Sequence, residues 1–275
     1  SRGLDSTVAQ VRRLVDAGYQ EVVLTGVHLG DYAADGAELL DVLKAVDAIP
    51  GLGRFRVSSL EATYIPDAMV DFFARSEKFC RHLHIPLQSG DDGVLEAMRR
   101  PYRRDRYIDL VNRIADRVPG IGLGADVMVG FPGESDAAFE STCNLVEQSP
   151  ISYLHVFPYS PRQATPATRM PDQVPPQVRK ARGAHLRSLG LEKARAFHGR
   201  FLGETRDVLL EGRREAGTGH LQGLTDNYIR VFTAGPDEAM DRLTPVRLER
   251  VTEDGRVLGS IVHSPVPTAS QATVT

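Results

Sequence analysis

At 275 residues and 41% hydrophobic content the chain is long enough for one large core and a smaller one, and its formal net charge at pH 7 is only −3. No stretch approaches the roughly 18 consecutive apolar residues of a membrane span, and the start, Ser1-Arg2-Gly3-Leu4, has neither an initiator Met nor a signal-peptide core and reads as a cut edge. The two cysteines, Cys80 and Cys143, stand far apart without CxxC spacing, which excludes a disulfide framework or a self-contained metal site and suits a reducing, cytoplasmic setting.

Residues 1–160 alternate helical and strand patterns, the signature of βα units around a parallel sheet. The spacing predicts a first helix capped by Ser6, with Val8, Val11, Leu14 and Val15 on one face and Gly18 at its end. A short β-branched strand follows at 21–27, apolar on both faces as buried parallel strands are. A helix through Leu39, Leu40, Leu43 and Val46 leads to a strand at 55–59, and a helix after Pro66 leads to a strand at 82–87. From Asp91 a helix runs through a cluster of arginines, and another covers 105–118 before the strand at 122–129. A helix at 135–147 precedes the fifth strand, 153–157. Polar residues sit just past the C-terminal end of each strand, the edge where β/α barrels build their sites. Five strands that begin with a helix imply a first strand ahead of Ser1.

From Met170 the pattern changes. Pro171, Pro175 and Pro176 form a linker, and a basic helix runs over about 178–198. Strands at 205–210, 219–225, 228–233, 244–251 and 257–262, separated by turn residues, suit a small antiparallel barrel. The segment 264–275, rich in Ser, Thr, Pro and Ala, is expected to be disordered.

Arginine is concentrated in two places. Arg99, Arg100, Arg103, Arg104 and Arg106 face only Asp105, and Arg179, Lys180, Arg182, Arg187, Lys193, Arg195 and Arg200 face only Glu192. Clustered guanidiniums fork onto phosphate oxygens, although a solvated helix face looks the same in sequence. In the C-terminal region Arg206, Asn227, Tyr228, Arg230 and Arg247 offer basic, amide and aromatic groups suited to single-stranded or loop RNA. No Ser/His/Asp order, HExxH pair or P-loop is present, so hydrolase, zincin and nucleotide-triphosphatase readings have no motif. Asp126 within an apolar strand would be costly unless paired, which predicts a partner in the barrel interior. His28 reads as a ligand, a base or a turn histidine.

The strings LTGVHLGDY (24–32), HIPLQSGDDGVLEAMRRPY (84–102), GADVMVGFPGE (124–134) and SYLHVFPYSPRQATPATRM (152–170) closely resemble the radical-SAM methylthiotransferases, and GLTDNYIRV (223–231) resembles their C-terminal RNA-binding TRAM domain. The resemblance covers nearly the whole chain in order. It is nearest the subgroup that methylthiolates N6-threonylcarbamoyladenosine beside the tRNA anticodon, while sister groups act on isopentenyladenosine in tRNA or on a ribosomal-protein aspartate.

The resemblance implies an α/β fold: a (β/α)6 radical-SAM barrel lacking its first strand over 1–170, a linker and basic helix over 171–200, and an OB-like TRAM barrel over 201–263. It also implies 4Fe-4S clusters, S-adenosylmethionine, a deoxyadenosyl radical that abstracts the adenine C2 hydrogen, a tRNA anticodon stem-loop as partner, and donors of electrons and sulfur. The family's CxxxCxxC loop and auxiliary-cluster cysteines would lie before Ser1, because two distant cysteines cannot replace three in one cradle. The chain alone is therefore expected to be inactive, with a non-catalytic RNA-binding role as the alternative. Gly26, Val27, His28, Ser58, Ser59, Glu61, Gln88, Ser89, Asp126, Gly130, Pro132 and Gly133 would line the cofactor pocket, with Arg100 toward the cofactor carboxylate. Phe157 and Tyr159 would pack on the adenine or target base.

Overall fold

A computed structural model describes residues 1–163 and 165–262, so the expected disorder of 264–275 lies outside the described residues. The chain divides into two units, Ser1–Arg200 with Asp226–Ile229, and Phe201–Thr225 with the residues from Arg230 onward.

The first unit alternates helices and parallel strands. Helix α1 (Leu4–Asp16) leads to β1 (Glu21–Leu24), and a small hairpin of β2 (Ala33–Ala34) and β3 (Ala37–Glu38) precedes α2 (Leu39–Asp47) and β4 (Arg54–Val57). Then come α3 (Asp67–Arg75), β5 (His82–His84), α4 (Asp92–Ala97), α5 (Arg104–Arg117), β6 (Gly122–Val129), α6 (Asp136–Gln148), β7 (Tyr153–Pro158) and α7 (Pro176–Gly199). The five parallel strands foreseen are present, but in two sheets, β1-β4 and β5-β6-β7. A single bridge between Phe55 and Phe79, with the Leu60 amide donating to the His84 carbonyl at 3.0 Å, links the two.

Alternation decides what each face of these strands does. Val22, Leu24, Phe55, Val57, Leu83, Ile85, Leu123, Ala125, Val127 and Val129 belong to one apolar core that also takes in Leu43, Val46, Tyr107 and Ile114 of the helices. Each fully buried aliphatic or aromatic side chain there contributes about 1.5–3 kcal/mol. The opposite face carries the intervening residues, which are mostly polar or glycine.

Two helix expectations are corrected. Helix α1 begins at Leu4 with Gly3 as its cap, and Ser6 lies inside the first turn. Helix α4 stops at Ala97, before the arginines: Arg99 is left-handed (φ 57°), and Pro101, which cannot donate a helical hydrogen bond, follows.

The second unit is a closed barrel of β8 (Thr205–Arg214), β9 (Leu221–Leu224), β10 (Arg230–Ala234), β11 (Leu243–Val251) and β12 (Val257–Ile261), in the order β10-β12-β11-β8-β9. It is not wholly antiparallel, because β10 and β12 pair in parallel. Parity requires this: strict up-and-down alternation cannot close on itself with an odd number of strands, so at least one neighbouring pair must run the same way.

Candidate functional site

The inner face of the first unit holds a connected polar layer. At the start of the strands Glu21 accepts from Arg54 at 2.6 Å and from Arg56 at 3.3 Å, all three side chains being under one-tenth exposed. Burial opposes ionisation of Glu21, but the Arg56 and Arg54 guanidiniums outweigh it and hold its carboxyl below the ordinary 4.5. Arg56 also donates to the Asp226 carbonyl at 3.1 Å and lies 5.3 Å from the Tyr228 ring centre.

Deeper along the strands the partner demanded by Asp126 is a pair of histidines. Its Oδ1 lies 3.0 Å from His84 Nε2 and 3.3 Å from His155 Nδ1. Burial raises the Asp126 pKa, but hydrogen bonds and charge from His84 and His155 overcome it and leave the group below 3.8. Tyr153 Oη extends the chain, at 3.3 Å from His84 Nδ1 and 2.8 Å from His82 Nε2. Ionised Asp126 only accepts, so a His84 ring with a single proton carries it on Nε2 and a His155 ring with a single proton carries it on Nδ1. Tyr153 then donates to His84 and accepts from His82, and the chain ends at His82 Nδ1, a buried nitrogen without a hydrogen-bond partner. Burial, and next the Arg56 charge, push the His82 pKa well below 6.5, so its ring stays neutral. Gly124 makes the arrangement possible, since a Cβ there would run into the Tyr153 ring.

The sequence-predicted groups at the strand ends separate into several places. Gln88, Arg100, Met98, Met128, Phe131 and Met170 line one cleft of about 310 Å³. Gln88 is left-handed (φ 65°) and is tied to β6 through its backbone amide to the Asp126 carbonyl and its backbone carbonyl to the Met128 amide. Arg100 reaches Glu61 at 3.2 Å. Gly26, Val27 and His28 line another cavity, about 580 Å³, beside α1 and α2. Ser58 continues the β1-β4 ladder by donating to the Leu24 carbonyl, and Ser59 is exposed. Ser89 is fully buried and its Oγ accepts from the Asp91 amide, so it serves the turn.

Gly130 (φ 73°) and Gly133 (φ 85°) bracket the buried Pro132 in a turn that folds Glu134 back onto the Gly130 amide at 2.9 Å. Glu134 is buried and paired with Arg182 at 2.6 Å. Phe157 is half-exposed beside His155, while Tyr159 is buried edge-on against Phe131.

Asn227 is 1% exposed, and its amide donates to the Gly120 carbonyl at 3.1 Å. Tyr228, at φ 71°, stacks on His82 with ring centres 4.0 Å apart. Both belong to the first unit and make these contacts within it, outside the strands of the small barrel. In the second unit Arg206 lies over Phe201, Arg230 pairs with Glu211 at 2.7 Å, and Arg247 is exposed.

The two arginine clusters differ. Arg99, Arg100, Arg103 and Arg106 line an open groove of about 610 Å³ with Asp92 and Glu96. Three of the basic groups of α7 are instead structural: Arg182 is buried, Arg179 donates to the Tyr159 carbonyl, and Lys193 caps α6 through the carbonyls of Val146, Glu147 and Ser149. The sequence reading missed Glu21, Arg54, Arg56, His82, His84, Tyr153 and His155. Their signal was polar residues two apart in strands whose other face is apolar, as at 54 and 56, 82 and 84, and 153 and 155.

Residues 1–146 match the family model of the Radical SAM superfamily. The chain belongs to that superfamily. Among curated proteins it is 37% identical over 253 residues to the threonylcarbamoyladenosine tRNA methylthiotransferase MtaB of Bacillus subtilis, covering 90% of this chain and 56% of the relative. MtaB of Thermotoga maritima is 35% identical over 93% of this chain and 58% of its own length. The tRNA-2-methylthio-N(6)-dimethylallyladenosine synthase of Syntrophotalea carbinolica is 35% identical over 90% of this chain and 57% of its own length. The chain thus spans little more than half the length of these relatives. Among solved structures, coproporphyrinogen III oxidase (HemN) from Escherichia coli, a radical SAM enzyme, superposes with a TM-score of 0.53 at 12% identity, over 81% of this chain and 57% of that one, a likeness of fold.

Radical SAM enzymes work with a 4Fe-4S cluster and S-adenosylmethionine, and these residues fit the two differently. Cys80 and Cys143 are both buried, with thiols that burial pushes up to about 12 and about 11, the reverse of a thiolate cradle. The 310 Å³ cleft offers an amide, a guanidinium and a thioether and aromatic wall, groups able to meet the polar and apolar parts of S-adenosylmethionine.

Proposed function

We propose that this chain carries the S-adenosylmethionine-binding barrel and RNA-binding β-domain of a tRNA methylthiotransferase that acts on N6-threonylcarbamoyladenosine next to the anticodon. The observation that carries the reading is the 37% identity to Bacillus MtaB along 90% of the chain, which takes in both units. In this reading the five strands belong to a six-stranded barrel, and the cluster thiolates come from sequence outside these 275 residues. Gln88 and Arg100 hold S-adenosylmethionine, the guanidinium being the group suited to its carboxylate. Bound there, the cofactor supplies the radical and the methyl group. Phe157, half-exposed at the end of β7, is the aromatic surface offered to the target base. The small barrel is read as a TRAM domain, with Arg230 and Arg247 toward RNA, and the exposed arginines around Arg99 and Arg106 suit the phosphates of an anticodon stem-loop. A cytoplasmic setting, an electron donor and a sulfur donor go with this activity.

The similarity to dimethylallyladenosine synthases, at 35% identity, favours isopentenyladenosine in tRNA as the second reading. The test is anaerobic cluster reconstitution of the gene's complete product, followed by mass spectrometry of nucleosides from tRNA incubated with S-adenosylmethionine and dithionite. A 2-methylthio group on threonylcarbamoyladenosine supports the first reading, and one on isopentenyladenosine supports the second. Deoxyadenosine release with unmodified tRNA would overturn both.

A further inference from the structure

Sequence reading placed no metal ligand within the chain, yet the fold brings three side chains from three different strands to one point. His84 Nε2, Asp126 Oδ1 and His155 Nδ1 all lie within 4.8 Å of one another. We propose that His84, Asp126 and His155 form a binding site for a divalent first-row transition ion, separate from any iron-sulfur cluster.

The spacing of each histidine nitrogen from Asp126 Oδ1 fits a shared ion. Metal bonds of about 2.0–2.2 Å to imidazole nitrogen and carboxylate oxygen place neighbouring ligand atoms roughly 3 Å apart. Asp126 Oδ1 stands 3.0 Å from one nitrogen and 3.3 Å from the other. Two imidazoles and one carboxylate are the donor set of Zn²⁺ and of non-haem Fe²⁺, and leave coordination positions open. The side chains are presented on a rigid support: His155 faces Asp126 directly across the β6-β7 pair, and His84 stands on β5 opposite Gly124, two residues before Asp126. Exposure rises from 9% at His84 through 26% at Asp126 to 52% at His155, so an ion can enter on the His155 side and meet an outside ligand there.

In the free site His84 and His155 direct their protons at Asp126. An ion occupying that point takes both nitrogen lone pairs, so in the occupied site His84 carries its proton on Nδ1 and His155 on Nε2. His84 Nδ1–H then donates to Tyr153 Oη, whose hydroxyl turns to donate to His82 Nε2, and the His82 proton sits on Nδ1. Tyr153 becomes the outer partner that fixes the orientation of a ligating histidine, a part such sites use regularly.

The test is titration of the metal-stripped protein with Co²⁺ under anaerobic conditions, read by visible d–d absorption and by calorimetric stoichiometry, with Zn²⁺ as competitor. The expected result is one Co²⁺ per chain, displaced by Zn²⁺. His155→Ala and Asp126→Asn should each weaken binding more than 100-fold, and Tyr153→Phe by roughly 10- to 100-fold, as for removal of an outer-shell partner. His155 is half-exposed, so its alanine variant is expected to keep the fold, checked by circular dichroism and Tm, and it decides the matter if Asp126→Asn does not fold. No saturable d–d signal, or equal affinity in wild type and His155→Ala, would overturn the site and leave a hydrogen-bonded trio. The proposal does not depend on the methylthiotransferase reading.

Discussion

The guanidinium of Arg182 lies 2.6 Å from the carboxylate of Glu134, and both side chains are almost completely buried. Glu134 closes the Phe131-Pro132-Gly133 turn by accepting from the Gly130 amide, so this buried charge is a clamp between that turn and α7. Burial raises the Glu134 pKa above 4.5, with the Gly130 amide and Arg182 offsetting part of the shift. Arg182→Leu should therefore destabilise the protein by about 3–5 kcal/mol at neutral pH. A carboxyl with a raised folded pKa favours the fold when protonated, so the deficit should be small below pH 4.5 and grow as pH rises. Adding Glu134→Gln should recover most of the loss in urea unfolding, and an unchanged deficit in the double variant would refute the clamp.

Glu21 behaves in the opposite sense. Its carboxyl is held below 4.5 when folded, so the stability it contributes is present above that pH and is lost as pH falls through the folded value. Glu21→Gln, which removes the charge that pairs with Arg54 and Arg56 while leaving their other contacts in place, should cost about 1.5–3 kcal/mol at pH 7. The gap between wild type and variant should close as pH drops below 4.5. Chemical denaturation at a series of pH values measures it.

Gly124→Ala should disturb the polar layer without touching a charge. The new methyl group meets the Tyr153 ring, which must shift and loosen its bonds to His82 and His84. Overpacking of this kind costs about 1–3 kcal/mol. Calorimetric Tm would register it, while Gly133→Ala, in open space though at φ 85°, reports backbone strain alone.

Neither cysteine should react in the native state. Cys80 is buried, its thiol pushed up to about 12 by burial and, less strongly, by Glu21, against the pull of Arg56. Ellman's reagent should label neither thiol of the folded protein at pH 7 and both in denaturant. Rapid native labelling of Cys80 would contradict the described packing.

Arg100 offers a test of the proposed cofactor cleft. Its guanidinium is partly exposed and pairs with Glu61. Loss of one charged hydrogen bond corresponds to roughly 10- to 100-fold in affinity. Equilibrium dialysis with S-adenosylmethionine should therefore show that weakening for Arg100→Ala, and binding equal to wild type would move the cofactor elsewhere.

What the sequence determined by itself was the order and kind of the elements. Strands such as β1 and β6 were legible because apolar runs bounded by Gly or Pro must bury both their side chains and their backbone hydrogen bonds, and the five short strands after Gly203 were legible from their turns. Asp126 announced that it had a partner, because an unpaired carboxylate in such a strand is too costly. The partner's identity was not local information. His84 and His155 stand 42 residues before and 29 after Asp126, and only strand register brings their nitrogens to one oxygen. The same holds for Glu134, whose function depended on whether Arg182 turned inward, and for Asn227 and Tyr228, which a β pattern assigns to the small barrel and packing assigns to the first unit. Propensity and periodicity act over a few residues, whereas the pairing of buried charges is settled by which side chains the finished fold places within about 3 Å of each other.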